Sequence, residues 1–115
     1  MEAYQLPKTT EQEKQARTAA IQQAIYLAAV VPLNIARKCL EGFQFVKPAL
    51  IKGNRNAWSD AKVGAVMLRS AIYGAIFNVK INLESLKDQS LVTSLQNEIG
   101  DILSRADKLE QDALS

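Results

Sequence analysis

Ser70-Ala71-Ile72-Tyr73-Gly74-Ala75-Ile76-Phe77-Asn78-Val79-Lys80-Ile81-Asn82-Leu83 settles the fold class, because two different stripes run through it at helical spacing. Ile72, Ile76, Val79, Leu83 and Leu86 recur at steps of four, three, four and three, the period of one buried helix face. Ser70, Gly74, Asn78 and Asn82 form a second stripe, small and polar. A helix marked on two sides is predicted to be covered on two sides. Gly74 strengthens that reading, since glycine inside a helix costs about 1 kcal/mol relative to alanine and is kept where a backbone or a ligand comes close. Tight helix packing alone would account for it equally well.

Working upstream, Ser59 is read as the cap of this long helix, with Asp60 in its first turn, where the helix dipole favours a carboxylate. Gly53 is read as the end of the preceding element with φ > 0, and Asn54 to Ala57 as a short loop. Thr10 and Glu13 match a capping box, so a first helix starts there. It carries Ala20, Ile21, Ala24, Ile25, Ala28 and Val31 on its apolar stripe. Pro32 removes one hydrogen bond and is predicted to kink a helix that continues through Leu33, Ala36, Leu40, Phe43 and Val46. Downstream, Asp88 or Ser90 caps a final helix with Leu91, Leu95, Ile99, Ile102, Ala106, Leu109 and Ala113 on one face. The expected fold is all-α, a helical bundle with one long central helix and a kinked helix at Pro32, formed as a single domain over 1–115.

Composition agrees. Of 115 residues, 48% are apolar but only 6% aromatic, with five glycines and three prolines, a balance that favours helices over sheets. A net charge of +2 and the lack of any long basic run argue against a nucleic-acid partner. Gln22, Gln23, Pro32 and Asn34 make the uncharged stretch 18–36 a poor membrane span, and the start does not read as a signal peptide. The single Cys39 excludes an internal disulfide and points to a reducing, cytoplasmic setting. With no histidine, imidazole-based triads and the commonest zinc ligand are excluded, and no metal site is expected.

The candidate site residues are Asn54, Asn56, Ser59, Asp60, Asn78 and Asn82 for ligand binding, with Lys52 and Arg55 for an anionic group. An amide among apolar neighbours is costly unless it finds partners, so Asn78 and Asn82 ask for something to pair with. Between Arg37 and Lys62 six basic residues face two acids, a local charge of +4 that suits an anionic small molecule. Asp60 is the candidate for a catalytic or orienting carboxylate. Asn, Ser and Asp are also the ordinary cap and turn formers, and basic residues commonly just solvate helix faces.

These residues resemble the cyclodeaminase domain of formiminotransferase-cyclodeaminase and the related methenyltetrahydrofolate cyclohydrolases. The resemblance is carried by Leu6-Pro7-Lys8, the Glu13 to Arg17 stretch, Val31-Pro32-Leu33 with Ala36, Gly53-Asn54 with Asn56, Ser59-Asp60-Ala61, and Gly74-Ala75 running into Asn78-Val79-Lys80-Ile81-Asn82-Leu83. It implies an all-helical homo-oligomer acting on a reduced folate, the tetrahydrofolate derivative being substrate, with no other cofactor. It also implies a preceding helical segment carrying a glycine-rich loop and a catalytic acid, without counterpart here. The chain is therefore expected to be the carboxy-terminal part of a larger folate-enzyme domain, truncated and weak or inactive alone. The other expectation, from a different class, is a catalytically inert helical oligomerisation module that keeps the fold.

Overall fold

The computed structural model describes residues 2–115, and every regular element among them is helical. Four α-helices follow one another: α1 (Glu11–Gly42), α2 (Val46–Lys52), α3 (Arg55–Leu83) and α4 (Gln89–Leu114), with short 3-10 turns at Glu2–Gln5 and Phe43–Phe45. α1 starts as its capping box predicts, with Thr10 Oγ1 accepting from Glu13 N at 3.0 Å. The reciprocal arm lands one residue early: Glu13 Oε2 accepts from Thr9 N at 3.1 Å, not from Thr10 N. α1 then runs through the buried Pro32 as one helix. Pro48 sits in the first turn of α2, where no helical N–H is needed.

α1 and α3 lie side by side and antiparallel: Asn82 reaches Ala28 at one end, and Gly42 abuts Leu68 at the other. α4 folds back along α3 and covers one side of this pair. The core is drawn from one stripe of each helix, Ile25, Ala29, Leu33, Ala36 and Leu40 on α1, Ala65, Ile72, Ile76, Val79 and Leu83 on α3, and Val92, Leu95, Ile99, Ile102 and Ala106 on α4. The long-helix and final-helix stripes are therefore as read from sequence. On α1 the register differs. Val31 is 63% exposed and Ala29 is buried instead, because the stripe has to join Leu33, Ala36 and Leu40 beyond Pro32 without a step across the helix.

Two boundaries also shift. Asn54, not Ser59, caps α3, its Oδ1 accepting from Ala57 N at 3.0 Å, so the expected loop 54–57 is the first helical turn. At the other end α3 stops at Leu83, and Leu86 is buried in the reversal that follows. That reversal is held from outside the helix: Gln22 Nε2 donates to Ser85 O at 3.1 Å and Gln22 Oε1 accepts from Lys87 N at 2.9 Å. Asp88 caps α4, accepting from Leu91 N at 3.1 Å. Gly53 closes α2 at φ −83°, ψ 161°, an extended conformation and not the positive φ expected of it.

The shape is long and thin. The radius of gyration is 19.2 Å, against about 13 Å for a globular chain of this length. The accessible surface is 7739 Å², where about 6,200 Å² is usual for 12.7 kDa, an excess of about 1,500 Å². On the sides of α1 and α3 turned away from their core stripes, Leu27, Val31 and Ile35 of α1 and Val63, Met67, Phe77 and Ile81 of α3 are each more than half exposed. The run Glu11–Lys52 also meets the length and hydropathy of a membrane span, but polar Gln22, Gln23 and Asn34 interrupt it and its other face packs on α3.

Candidate functional site

The sequence brings the six ligand-binding candidates together; the structure spreads them along one helix. Asn54 opens α3 and spends its side chain on the cap. Asn56, Ser59 and Asp60 follow within two turns, all exposed, and Asp60 is the sixth helical residue, not a first-turn one. Asn78 is exposed near the other end of α3 and Asn82 is half-buried. At 1.5 Å per residue, Asn54 and Asn78 are about 36 Å apart and Asp60 and Asn82 about 33 Å. No small ligand spans that distance, so within one chain these residues do not form one pocket. Lys52 and Arg55 stand together at the α2–α3 corner, both exposed.

Asn82 has a structural partner that its sequence position hides. Pro32 lacks the N–H that would bond the carbonyl of Ala28, and Asn82 Nδ2 donates to Ala28 O at 3.4 Å while also donating to Asn78 O at 3.0 Å. The amide thus replaces the helical bond that proline removes. A double-mutant cycle tests this. Asn82→Ala is expected to cost about 1 kcal/mol in urea unfolding and distinctly less in a Pro32→Ala background, where the Ala28 carbonyl regains its own donor. Strict additivity would free Asn82 for a ligand.

A groove of about 670 Å³ lies between the end of α1, α2 and α4. Its floor is Leu40, Phe43, Pro48, Ile51 and Leu109, and Lys47, Lys52 and Arg105 stand at its walls with Glu41. Of the candidates from sequence only Lys52 lines it. A second groove of about 400 Å³ runs between the end of α3 and α4, lined by Lys80, Glu84 and Gln96 over Leu83, Ile99 and Leu103.

Sequence reading missed the two ion pairs that dock α4. Arg37 forms a fork on Glu98, with Nε and Nη2 each 2.6 Å from a carboxylate oxygen, and its Nη1 donates to Asn34 Oδ1 at 2.8 Å. Arg69 Nε meets Asp107 Oδ1 at 2.7 Å, with Glu110 at 3.5 Å, and its guanidinium lies 4.5 Å from the ring centre of Tyr73, whose hydroxyl donates to Asp107 Oδ2 at 3.0 Å. The hydrogen bond from Arg37 holds Glu98 below the ordinary carboxylate range, and that from Arg69 does the same for Asp107. Both acids are ionised at neutrality and occupied by their partners, which suits docking and not proton donation. The only signal for them in sequence was charge flanking the apolar stripes of α3 and α4. Among the described residues no group of three or more acids, cysteines or histidines is placed to hold a metal ion.

Comparison with known proteins adds what the geometry lacks. The family described as Formiminotransferase-cyclodeaminase matches residues 1–101. Among similar proteins, the formimidoyltransferase-cyclodeaminase of Gallus gallus is 38% identical over 106 residues, covering 92% of this chain and 20% of its own length. The methenyltetrahydrofolate cyclohydrolase of Methylorubrum extorquens is 36% identical over 111 residues, 96% of this chain and 53% of the relative. The formimidoyltransferase-cyclodeaminase of Sus scrofa is 32% identical over 106 residues, with 92% and 20% covered. The chain therefore spans about half of the cyclohydrolase and a fifth of the two vertebrate proteins.

Proposed function

Because the chain belongs to the formiminotransferase-cyclodeaminase family, we propose that it is the helical portion of a reduced-folate one-carbon domain, of the cyclodeaminase or cyclohydrolase type, and that it turns over little or no substrate alone. The observation that carries this reading is the separation of about 33 Å between the Asp60 and Asn82 ends of α3, which leaves no convergent site in one chain. A pterin needs several amide-like donors and acceptors at one place, and a water or ammonia transfer needs a free acid or base beside them. Here Asn54 caps a helix, Asn82 serves the Ala28 carbonyl, and the three half-buried acids of α4, Glu98, Asp107 and Glu110, are paired with arginines. Hydrolysis of methenyltetrahydrofolate and deamination of formiminotetrahydrofolate, followed by absorbance, test it. The isolated chain is expected to stay near the uncatalysed rate; sustained turnover would overturn the reading.

A second reading is favoured by the bare side of the α1–α3 pair: the chain acts as an assembly module that keeps the family's packing without its catalysis. An exposed apolar surface of this size marks an interaction face. The module reading expects oligomers at micromolar concentration and no saturable change in Trp58 fluorescence on adding a reduced folate.

A further inference from the structure

At one end of the bundle three separate pieces of chain meet in a cleft of about 260 Å³: the turn Glu2–Gln5, the early part of α1 and the reversal between α3 and α4. Tyr4, Arg17, Thr18, Gln22, Ser85 and Lys87 line it, so the lining holds two cations, three hydroxyls and no carboxylate. The acids nearest in sequence are committed elsewhere. Glu13 Oε2 accepts from Thr9 N, Asp88 Oδ1 accepts from Leu91 N, and Glu84 lines the groove between α3 and α4. Among the described residues neither Arg17 nor Lys87 forms a salt bridge.

An arginine offers several N–H donors in a rigid fork, and Arg17 spends almost none of them. Nη2 donates to Tyr4 O at 3.4 Å, longer than the usual range for such a bond, and the guanidinium lies 5.5 Å from the Tyr4 ring centre. Its Nε is shut off from water with no partner, the one such side-chain atom among the described residues. A buried donor left alone in a folded chain calls for an explanation, and the group that an arginine fork matches best is an oxyanion. The reversal's part of the cleft is fixed in advance. Gln22 holds it at both Ser85 O and Lys87 N, so the exposed Lys87 side chain leaves the backbone from a pinned position. We infer that this cleft is an oxyanion site that takes a phosphate group, either as the free ion or carried by a larger molecule. Charge decides for phosphate over a single carboxylate. Arg17 and Lys87 give the lining +2, and a phosphate group near neutrality carries about −1.5 to −2 with three strong acceptor oxygens. None of the candidate residues read from sequence lines this cleft, so the inference stands apart from the one-carbon reading.

Titration of the 115-residue chain with sodium phosphate, glycerol phosphate and acetate at constant ionic strength, followed by amide resonances, tests it. Saturable shifts centred on Tyr4, Thr18, Ser85 and Lys87 are expected with phosphate, and binding of acetate weaker by roughly tenfold or more. Glycerol phosphate that binds as tightly supports a ligand larger than the ion; binding of inorganic phosphate alone supports the free ion. Lys87→Gln, and Arg17→Lys, which keeps the charge but loses the fork, are each expected to weaken binding about tenfold with far-UV circular dichroism unchanged. Lys108→Gln, exposed on α4 and outside the cleft, should leave it as it was. Shifts spread equally over Lys47, Lys52 and Lys108, or an unchanged affinity in either cleft variant, would reduce the signal to general charge attraction and overturn the site. No saturable shift up to tens of millimolar phosphate overturns it as well, and acetate that binds as tightly overturns the choice of phosphate.

Discussion

Replacing Ile72 by alanine is expected to cost about 2–5 kcal/mol of unfolding free energy, out of a total of about 6–17 kcal/mol for a domain this long. Ile72 is fully buried on α3, with Ile76, Val79 and Leu33 the other large side chains shut off from water. The core is only one side chain deep between long helices, so a void opened at its middle has no second shell of apolar residues to collapse into it. Ile81→Ala is the control: the same residue type, nine positions along the same helix, 66% exposed. In the dilute monomer it is expected to change stability by no more than about 0.5 kcal/mol. Urea unfolding of both variants at low concentration checks the pair. Similar losses from the two would mean that α3 is turned relative to α1 and α4, and with it the open face.

Where sequence reading succeeded, a single period carried the information. The stripes from Ile72 to Leu83 and from Leu95 to Ala106 each bury against one neighbouring surface, so helical spacing alone identifies them. α1 was harder, because apolar residues surround it: Ala24, Ala28 and Val31 fit a stripe as well as Ala29 and Leu33 do, and only packing on α3 chooses between them. The cap of α3 failed for a similar reason. Asn54 and Ser59 are both good N-caps, and the winner adds a turn of helix by taking the earlier position. The site was least legible. Asparagine spacing on α3 correctly placed Asn78 and Asn82 on one side, but spacing cannot report that Pro32, fifty residues away, leaves a carbonyl for Asn82 to serve. Nor can it report that Asn54 and Asn78 stand at opposite ends of a rod.

Gly53→Ala is expected to destabilise the chain by about 1–3 kcal/mol, for a reason that backbone conformation does not supply. Its φ of −83° and ψ of 161° are open to any residue, and among the described residues no glycine has a positive φ. Crowding is the cause: a Cβ built on Gly53 would lie 2.5 Å from the Ala49 carbonyl oxygen and 2.6 Å from the Ala57 Cβ. One of these neighbours is backbone, so no side-chain rotation relieves the clash, and the last turn of α2 has to move away from the first turn of α3. That movement pulls on the bond from Gly53 N to Ala49 O, now 2.9 Å, and on the α2–α3 corner that carries Lys52 and Arg55. Gly100→Ala supplies the opposite sign. It lies exposed on α4 with nothing within 4 Å of an added Cβ, and should gain up to about 1 kcal/mol from helix propensity. Urea unfolding gives both magnitudes, and amide exchange locates the first, since protection should fall across Val46–Lys52 in Gly53→Ala while α4 keeps its own. A stabilised Gly53→Ala would show that the corner is wider than described, and that glycine stands there for the flexibility of the unfolded chain and not for the closeness of the folded one.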